Sequence, residues 1–124
     1  MIALPAGRRV LIWSAPVDFA GAALRVRCGM DRLAALVQVT LRADPFAGDV
    51  FVFRSRRADR VKLLVFDGTG LVLVTKRLEQ GRFVWPPVTD GMVRLSALQL
   101  SVLLSGLPWH RLQVRPVTRP RAAC

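Results

Sequence analysis

The sequence predicts an α+β fold, in which a small, mostly antiparallel sheet carries two helices. Three observations support this prediction. Short runs of β-branched and aromatic residues alternate with two stretches of helical spacing, and three of the strand-like runs follow one another through short polar turns. The chain has 124 residues and is 52% hydrophobic, which suffices for one domain with its own core.

The predicted sheet consists of an N-terminal strand and a three-stranded meander. Residues 10–14 form the first strand. Residues 50–54, VFVFR, are rich in residues that favour β structure, and residues 60–66 follow after a polar turn. Residues 71–77 form the next strand, which runs back in the opposite direction after the turn signal Asp67-Gly68-Thr69-Gly70. An antiparallel meander is the simplest arrangement for these three strands.

The strand at residues 60–66 has two different faces. Val61, Leu63 and Val65 lie on one face, and Arg60, Lys62, Leu64 and Phe66 lie on the other. The second face is basic at one end and apolar at the other, so we expect only part of it to be covered.

The first predicted helix begins after Gly29. Apolar residues recur there at helical spacing, and Asp31 lies in the first turn, where a helix dipole favours a negative charge. Asp44-Pro45 is expected to end this helix, because proline disfavours the α conformation in the residue before it.

The second predicted helix begins at Ser96, which forms a capping box with Gln99. Its expected apolar stripe is Leu98, Val102 and Leu103, and Gly106 with Pro108 ends it. Residues 1–106 are therefore expected to form a single domain. Residues 107–124, which contain four arginines, three prolines and no acid, are expected to form a flexible basic tail.

The charge of the chain indicates a polyanionic partner. Nineteen cationic residues against eight acidic ones give a net charge of +11. Lys62 and Lys76 are the two lysines, and the other cationic residues are arginines. Arginine offers a planar fork of donors that suits phosphate. The candidate nucleic-acid-binding residues are the cations of the predicted meander, namely Arg54, Arg56, Arg57, Arg60, Lys62, Lys76, Arg77 and Arg82.

Two aromatic residues directly follow the last of these cations. Phe83 and Trp85 are candidates either for stacking on nucleic-acid bases or for packing against the sheet. Burial statistics favour packing, and the sequence leaves both alternatives open.

The sequence does not indicate catalysis. Asp31, Asp44 and Asp67 lie where a local structural role suffices, and a metal-binding carboxylate cluster is the alternative role for the acids. His110 has no second histidine or nearby cysteine, and Cys28 and Cys124 are too far apart in sequence for a metal knuckle. We therefore expect no enzyme activity, no catalytic residue, no metal site and no cofactor.

The expected location is the cytoplasm. The apolar run at residues 10–13 is too short for a signal peptide. No uninterrupted apolar run approaches the length of about 20 residues that a spanning helix needs, so no membrane partner is expected.

The motifs together resemble one family, the TnpB-type accessory proteins encoded by the second open reading frame of insertion sequences of the sixty-six type. The resemblance spans residues 2 to about 106. Its motif residues in this chain are Asp44-Pro45-Phe46, Gly48, Phe51, Val52, Phe53, Arg54, Arg56-Arg57, Asp59-Arg60, Lys62, Leu64, Asp67-Gly68, Gly70, Leu73, Lys76-Arg77-Leu78-Glu79, Gly81-Arg82-Phe83 and Trp85-Pro86.

This resemblance implies a protein that assists transposition beside a separate, larger transposase and does not itself catalyse the reaction. Two departures from the family pattern stand out. The stretch from Ala20 to Val26 reads as an insertion that separates Asp18-Phe19 from Arg27-Cys28-Gly29, and Val65-Phe66 replaces the usual aromatic pair before the turn.

The expected function is non-catalytic support of transposition. In the favoured hypothesis the basic meander binds DNA at the element ends, or a complex of that DNA with the transposase. The alternative is a protein-only adaptor that docks on the transposase, and a metal-dependent nuclease is the least favoured hypothesis. The sequence does not indicate an oligomeric state.

Overall fold

The computed structural model describes residues 8–17, 19, 29–39, 41–89 and 91–109. The inserted stretch at residues 20–26, together with Cys28, His110 and the rest of the predicted tail from residue 110 onwards, lies outside the described residues. The elements in chain order are β1 (Val10–Trp13), α1 (Met30–Val39), β2 (Val50–Arg54), β3 (Arg60–Phe66), β4 (Leu71–Arg77), β5 (Met92–Leu95) and α2 (Ala97–Leu104). This arrangement confirms the predicted α+β fold.

The five strands form one sheet in the order β4-β3-β2-β1-β5. The meander β2-β3-β4 is antiparallel and has the predicted bounds. β1 pairs in parallel with β2 and antiparallel with β5. The sequence prediction missed β5, because this strand has only four residues and follows an irregular, proline-containing segment.

Each face of the sheet carries one helix. On one face, Val61, Leu63 and Val65 of β3 belong to the same buried cluster as Leu100 and Leu103 of α2. On the other face, a second buried cluster joins Phe51, Phe53 and Leu64 to Leu33, Ala34 and Val37 of α1. The predicted division of the β3 side chains between two faces is therefore confirmed.

The first helix ends earlier than predicted. It stops at Val39, before Asp44-Pro45, because the chain changes direction at Arg42, which adopts a left-handed conformation with φ of 51°. The N–H groups of Leu41 and Ala43 donate to the carbonyls of Leu36 and Val37, respectively, and so satisfy carbonyls near the helix end. A local turn, and not the proline, therefore ends α1.

The capping box of α2 is confirmed. The Ser96 hydroxyl accepts a hydrogen bond from the Gln99 N–H at 3.0 Å, and the Gln99 side chain accepts one from the Ser96 N–H at 2.9 Å. Gly106 follows the helix with φ of 77°, as expected for a C-terminal glycine.

The predicted apolar stripe of α2 is wrong in part. Leu98 is 60% exposed, and the buried residues are Leu100, Leu103 and Leu104. The fold also continues past residue 106, because Trp109 is 8% exposed and its indole Nε1 donates to the Val84 carbonyl at 2.7 Å.

No helix among the described residues is both long and apolar enough to span a membrane.

Candidate nucleic-acid interface

One end of the sheet collects most of the predicted cationic residues. β2 and β4 finish at this end and β3 begins there, so the β2–β3 turn lies beside the segment that follows β4. Two backbone hydrogen bonds join these segments. The Leu78 N–H donates to the Asp59 carbonyl at 2.9 Å, and the Phe83 N–H donates to the Ala58 carbonyl at 2.6 Å. We call this surface the basic end and define it by Arg56, Arg57, Arg60, Lys62, Arg77 and Arg82.

Two arginines of the basic end lie directly opposite each other. Arg60 opens β3 and Arg77 closes β4, and the two residues pair across the antiparallel ladder. Both are exposed. Like charges in directly opposite positions destabilise a sheet. Among the described residues, no acid forms an ion pair with either arginine, and the same holds for Arg57 and Arg82. These four arginines therefore have no ion-pair partner among the described residues.

A concavity of about 270 Å³ adjoins the β2–β3 turn. Its walls are the turn at residues 55–57, 59 and 60 on one side and Val17 with Phe19 on the other. The Val17 N–H donates to the Arg54 carbonyl at 2.8 Å, which holds the segment after β1 against this end of the sheet. The Lys62 ammonium lies 4.7 Å from the centre of the Phe19 ring, within range of a cation–π contact.

Sequence reasoning did not include Val17 and Phe19 in the site. Their position follows from the parallel pairing of β1 with β2, which brings the residues after β1 to the end where β2 finishes. The sequence contains no signal for this pairing beyond the apolar character of both strands.

Lys76 and Arg54, two of the predicted binding residues, have intramolecular roles. Lys76 points to the opposite face of the sheet from Arg77, and its Nζ donates to the Leu104 carbonyl at the end of α2 at 2.6 Å. A cation at this position also complements the negative end of the helix dipole. Lys76 therefore holds α2 on the sheet.

The Arg54 side chain forms hydrogen bonds within the β2–β3 turn. Its Nη1 donates to the carbonyls of Ser55 and Arg56 at 3.5 and 3.3 Å, and its Nε is buried without a hydrogen-bond partner in the described residues. Burial lowers the pKa of the Arg54 guanidinium. Its position is thus set by the turn it supports.

The aromatic residues of the GRF-x-WP motif pack within the molecule. Phe83 is 3% exposed and belongs to the core on the α2 face. Trp85 is half-buried, and its Nε1 donates to the Trp13 carbonyl at 3.0 Å. The next residue after Trp13 is the fully buried Ser14, whose hydroxyl accepts a hydrogen bond from the Thr89 N–H at 2.9 Å. Packing is therefore the role the structure shows for Phe83, whose ring cannot stack on a base.

Asp44 and Asp67 have local hydrogen-bond partners, as the sequence predicted, and Asp31 lies in the first turn of α1. The Asp44 carboxylate accepts from the Phe46 N–H, and Asp67 accepts from the N–H groups of Thr69 and Gly70. These bonds lower the pKa of Asp67. Asp59 accepts from the Ser55 hydroxyl, and Asp49 forms a bidentate ion pair with Arg9. Within the described part of the chain, no three histidine, cysteine or acidic residues are grouped so that they could hold a metal ion.

Comparison with known proteins identifies one family and two similar proteins. The family model described as IS66 Orf2 like protein matches residues 9–114. The uncharacterized protein y4jC of Sinorhizobium fredii (strain NBRC 101917 / NGR234) is 45% identical over 120 residues, which cover 97% of each chain. The uncharacterized protein y4hO of the same strain is 43% identical over 110 residues, covering 89% of this chain and 91% of the relative. No solved structure matches the chain. The matched range covers both helices and all five strands, and the chain belongs to the IS66 Orf2-like family of insertion-sequence proteins.

Proposed function

We propose that the protein supports transposition without catalysing it, by binding the phosphates of element-end DNA through the basic end. Family membership associates the chain with an insertion sequence, and hence with transposition. The observation that carries the proposal is the pair Arg60 and Arg77, which face each other on neighbouring strands and form no ion pair with any acid among the described residues.

An anion bound at this position would remove the repulsion that the fold otherwise retains. Phosphate suits the site because arginine presents paired N–H donors to it, and because DNA supplies phosphates at regular spacing along its backbone. Arg57 and Arg82 extend the same surface on the β2–β3 turn and on the loop after β4. The proposed interface therefore offers four arginines, which come from two strands and the two loops beside them.

The non-catalytic part of the proposal rests on the acids. Asp44, Asp49, Asp59 and Asp67 each accept hydrogen bonds that shape a turn or tie two segments together. A metal-dependent nuclease needs carboxylates that converge on a shared ion. Each of these four carboxylates instead accepts hydrogen bonds in a different part of the fold.

A salt titration of DNA binding tests the proposal. The probe is a duplex containing the terminal sequence of the insertion sequence, and the variants are Arg57→Gln/Arg82→Gln and the control Arg42→Gln/Arg94→Gln. Both doubles remove two exposed positive charges, but Arg42 follows α1 and Arg94 lies in β5, the strand at the opposite edge of the sheet from β4. Each lost phosphate contact should flatten the plot of log affinity against log salt by about 0.9.

We expect the Arg57/Arg82 double variant to flatten the slope more than the control does. Equal slopes for the two double variants would show that DNA binding depends on the total charge of the protein and not on the positions of Arg57 and Arg82. If the wild type does not bind DNA but retains the transposase in a pull-down after nuclease treatment, the adaptor function replaces DNA binding.

A further inference from the structure

The strand β4 has the residue pattern of a central strand but lies at the edge of the sheet. Its residues Leu71, Val72, Leu73 and Val74 are apolar on both faces. Val72 and Val74 pack at the margin of the core on the α2 face, and Leu71 and Leu73 pack at the margin of the core on the α1 face. All four are only half-buried. Continuous apolar runs of this kind are typical of strands that are covered on both sides.

The two edges of the sheet differ in their protection. β5, at the other edge, has four residues and an exposed arginine, Arg94. β4 pairs with β3 over seven consecutive positions and contains neither a proline nor a charged residue before Lys76. Natural edge strands are normally short, charged, bulged or covered, because an open edge can pair with another chain. The apolar half of β4 has none of the first three forms of protection.

The hydrogen-bonding phase of β4 identifies which backbone groups face outward. The N–H of Asp67 donates to the Gly70 carbonyl, and the N–H of Leu78 donates to the Asp59 carbonyl. Since hydrogen-bonded and non-hydrogen-bonded pairs alternate in an antiparallel ladder, the backbone groups of Leu71, Leu73 and Thr75 point away from β3. Among the described residues, no backbone hydrogen bond reaches them.

We propose that β4 pairs antiparallel with β4 of a second copy of this chain, about a twofold axis at Leu73, and so joins the two sheets into one. In this register Leu73 faces Leu73 of the second copy, Val72 faces Val74, and Leu71 faces Thr75. The outward-facing backbone N–H and C=O groups of each Leu73–Leu73 and Leu71–Thr75 pair then form hydrogen bonds between the two copies. The apolar side chains of the two β4 strands contact each other on both faces of the joined sheet.

Charge at the two ends of the strand favours a second copy in this orientation. The acidic Asp67 lies in the turn before β4, and the basic Arg77 ends the strand; both are exposed. Antiparallel pairing brings the acidic turn of each copy towards the basic strand end of the other. Parallel pairing would bring Asp67 towards Asp67 and Arg77 towards Arg77. The charges of Asp67 and Arg77 therefore favour the antiparallel over the parallel direction.

The variant Thr75→Pro tests the proposal with little disturbance of the monomer. Thr75 is exposed, and its N–H points outward, so proline removes a donor that the second copy needs and leaves the ladder to β3 intact. Thr75→Val is the matched control, because it alters the same side chain but keeps the N–H. The measurement is sedimentation equilibrium of the full chain over a wide range of concentrations.

Wild type and Thr75→Val should shift from the 13.7 kDa monomer towards twice that mass as concentration rises, and Thr75→Pro should remain a monomer. Amide hydrogen exchange in the wild type supplies a second readout if the proline variant does not fold. The Leu73 and Thr75 amides should become more protected as concentration rises, while exposed amides of β5 do not change. A wild type that stays monomeric, or a dimer whose Leu73 and Thr75 amides exchange freely, would overturn the proposal.

Discussion

Arg60 and Arg77 stand directly opposite each other on neighbouring strands, with both side chains exposed and no described acid paired with either. This arrangement lowers the stability of the sheet, because the two charges repel each other. The proposed role of the basic end in binding an anion would account for the pair.

Replacing Arg77 with threonine should therefore stabilise the free protein. We expect the free energy of unfolding to rise by up to about 1 kcal/mol at low salt, because a like-charge pair is replaced by a β-favouring residue beside Arg60. Urea denaturation at several salt concentrations measures this change. The gain should shrink as salt screens the repulsion in the wild type. A destabilised variant would mean that Arg77 has a favourable partner within the chain.

The turn before β4 gives a prediction about pH. Hydrogen bonds from the N–H groups of Thr69 and Gly70 lower the pKa of Asp67 in the folded state. A carboxylate with a lowered folded pKa stabilises the protein above its unfolded pKa, near 3.9, and this contribution is lost as the pH falls through the folded pKa.

Asp67→Asn should consequently be less stable than the wild type at neutral pH, with the difference shrinking below about pH 4. Urea midpoints of the two proteins across this range provide the measurement. A difference that did not depend on pH would assign the effect to the shape of the turn and not to the charge of Asp67.

The position of Trp109 gives a prediction about the end of the folded domain. This residue is buried and its indole donates to the Val84 carbonyl, so a chain that ends at residue 106 loses one large side chain of the core on the α2 face. We expect it to be about 3 kcal/mol less stable than a chain that ends at residue 109, the scale of losing a buried tryptophan side chain. Thermal unfolding of the two truncated chains and of the full chain compares them. Equal stability of the two truncated chains would mean that the folded domain ends at residue 106, as the composition predicts.

The local roles of the acids predict that the purified protein does not cleave or join DNA. Element-end DNA should remain intact when incubated with the protein and Mg²⁺ or Mn²⁺ in the absence of transposase. Cleavage that disappears in Asp→Asn variants would refute the non-catalytic proposal.

Much of the fold could be predicted because its signals are local. The meander follows from three runs of β-favouring residues separated by turns, and the start of α2 follows from the capping box of Ser96 and Gln99. The end of α1 could not be predicted, because it depends on the left-handed conformation of Arg42 and not on the proline nearby. β5 was missed because a four-residue strand is stabilised mainly by its neighbour β1.

The candidate site could be predicted as a region but not in its detail. Hairpin geometry was enough to bring Arg60 towards Arg77. Sequence alone could not show that the adjacent Lys76 is used to hold α2, because that role depends on where the last carbonyl of a distant helix lies. The same holds for Phe19, which reaches Lys62 only through the parallel pairing of β1 with β2.

The neighbours Lys76 and Arg77 offer the most direct test of the proposed DNA interface. They carry the same charge at adjacent positions, but Arg77 faces the basic end and Lys76 binds the Leu104 carbonyl on the other side of the sheet. Salt titrations of duplex binding by Arg77→Gln and Lys76→Gln compare the two sides. We predict that Arg77→Gln flattens the slope by about 0.9, while Lys76→Gln lowers stability by about 1 kcal/mol and leaves the slope unchanged. Equal slopes for the two variants, or a change confined to Lys76→Gln, would contradict the assignment of DNA binding to the basic end.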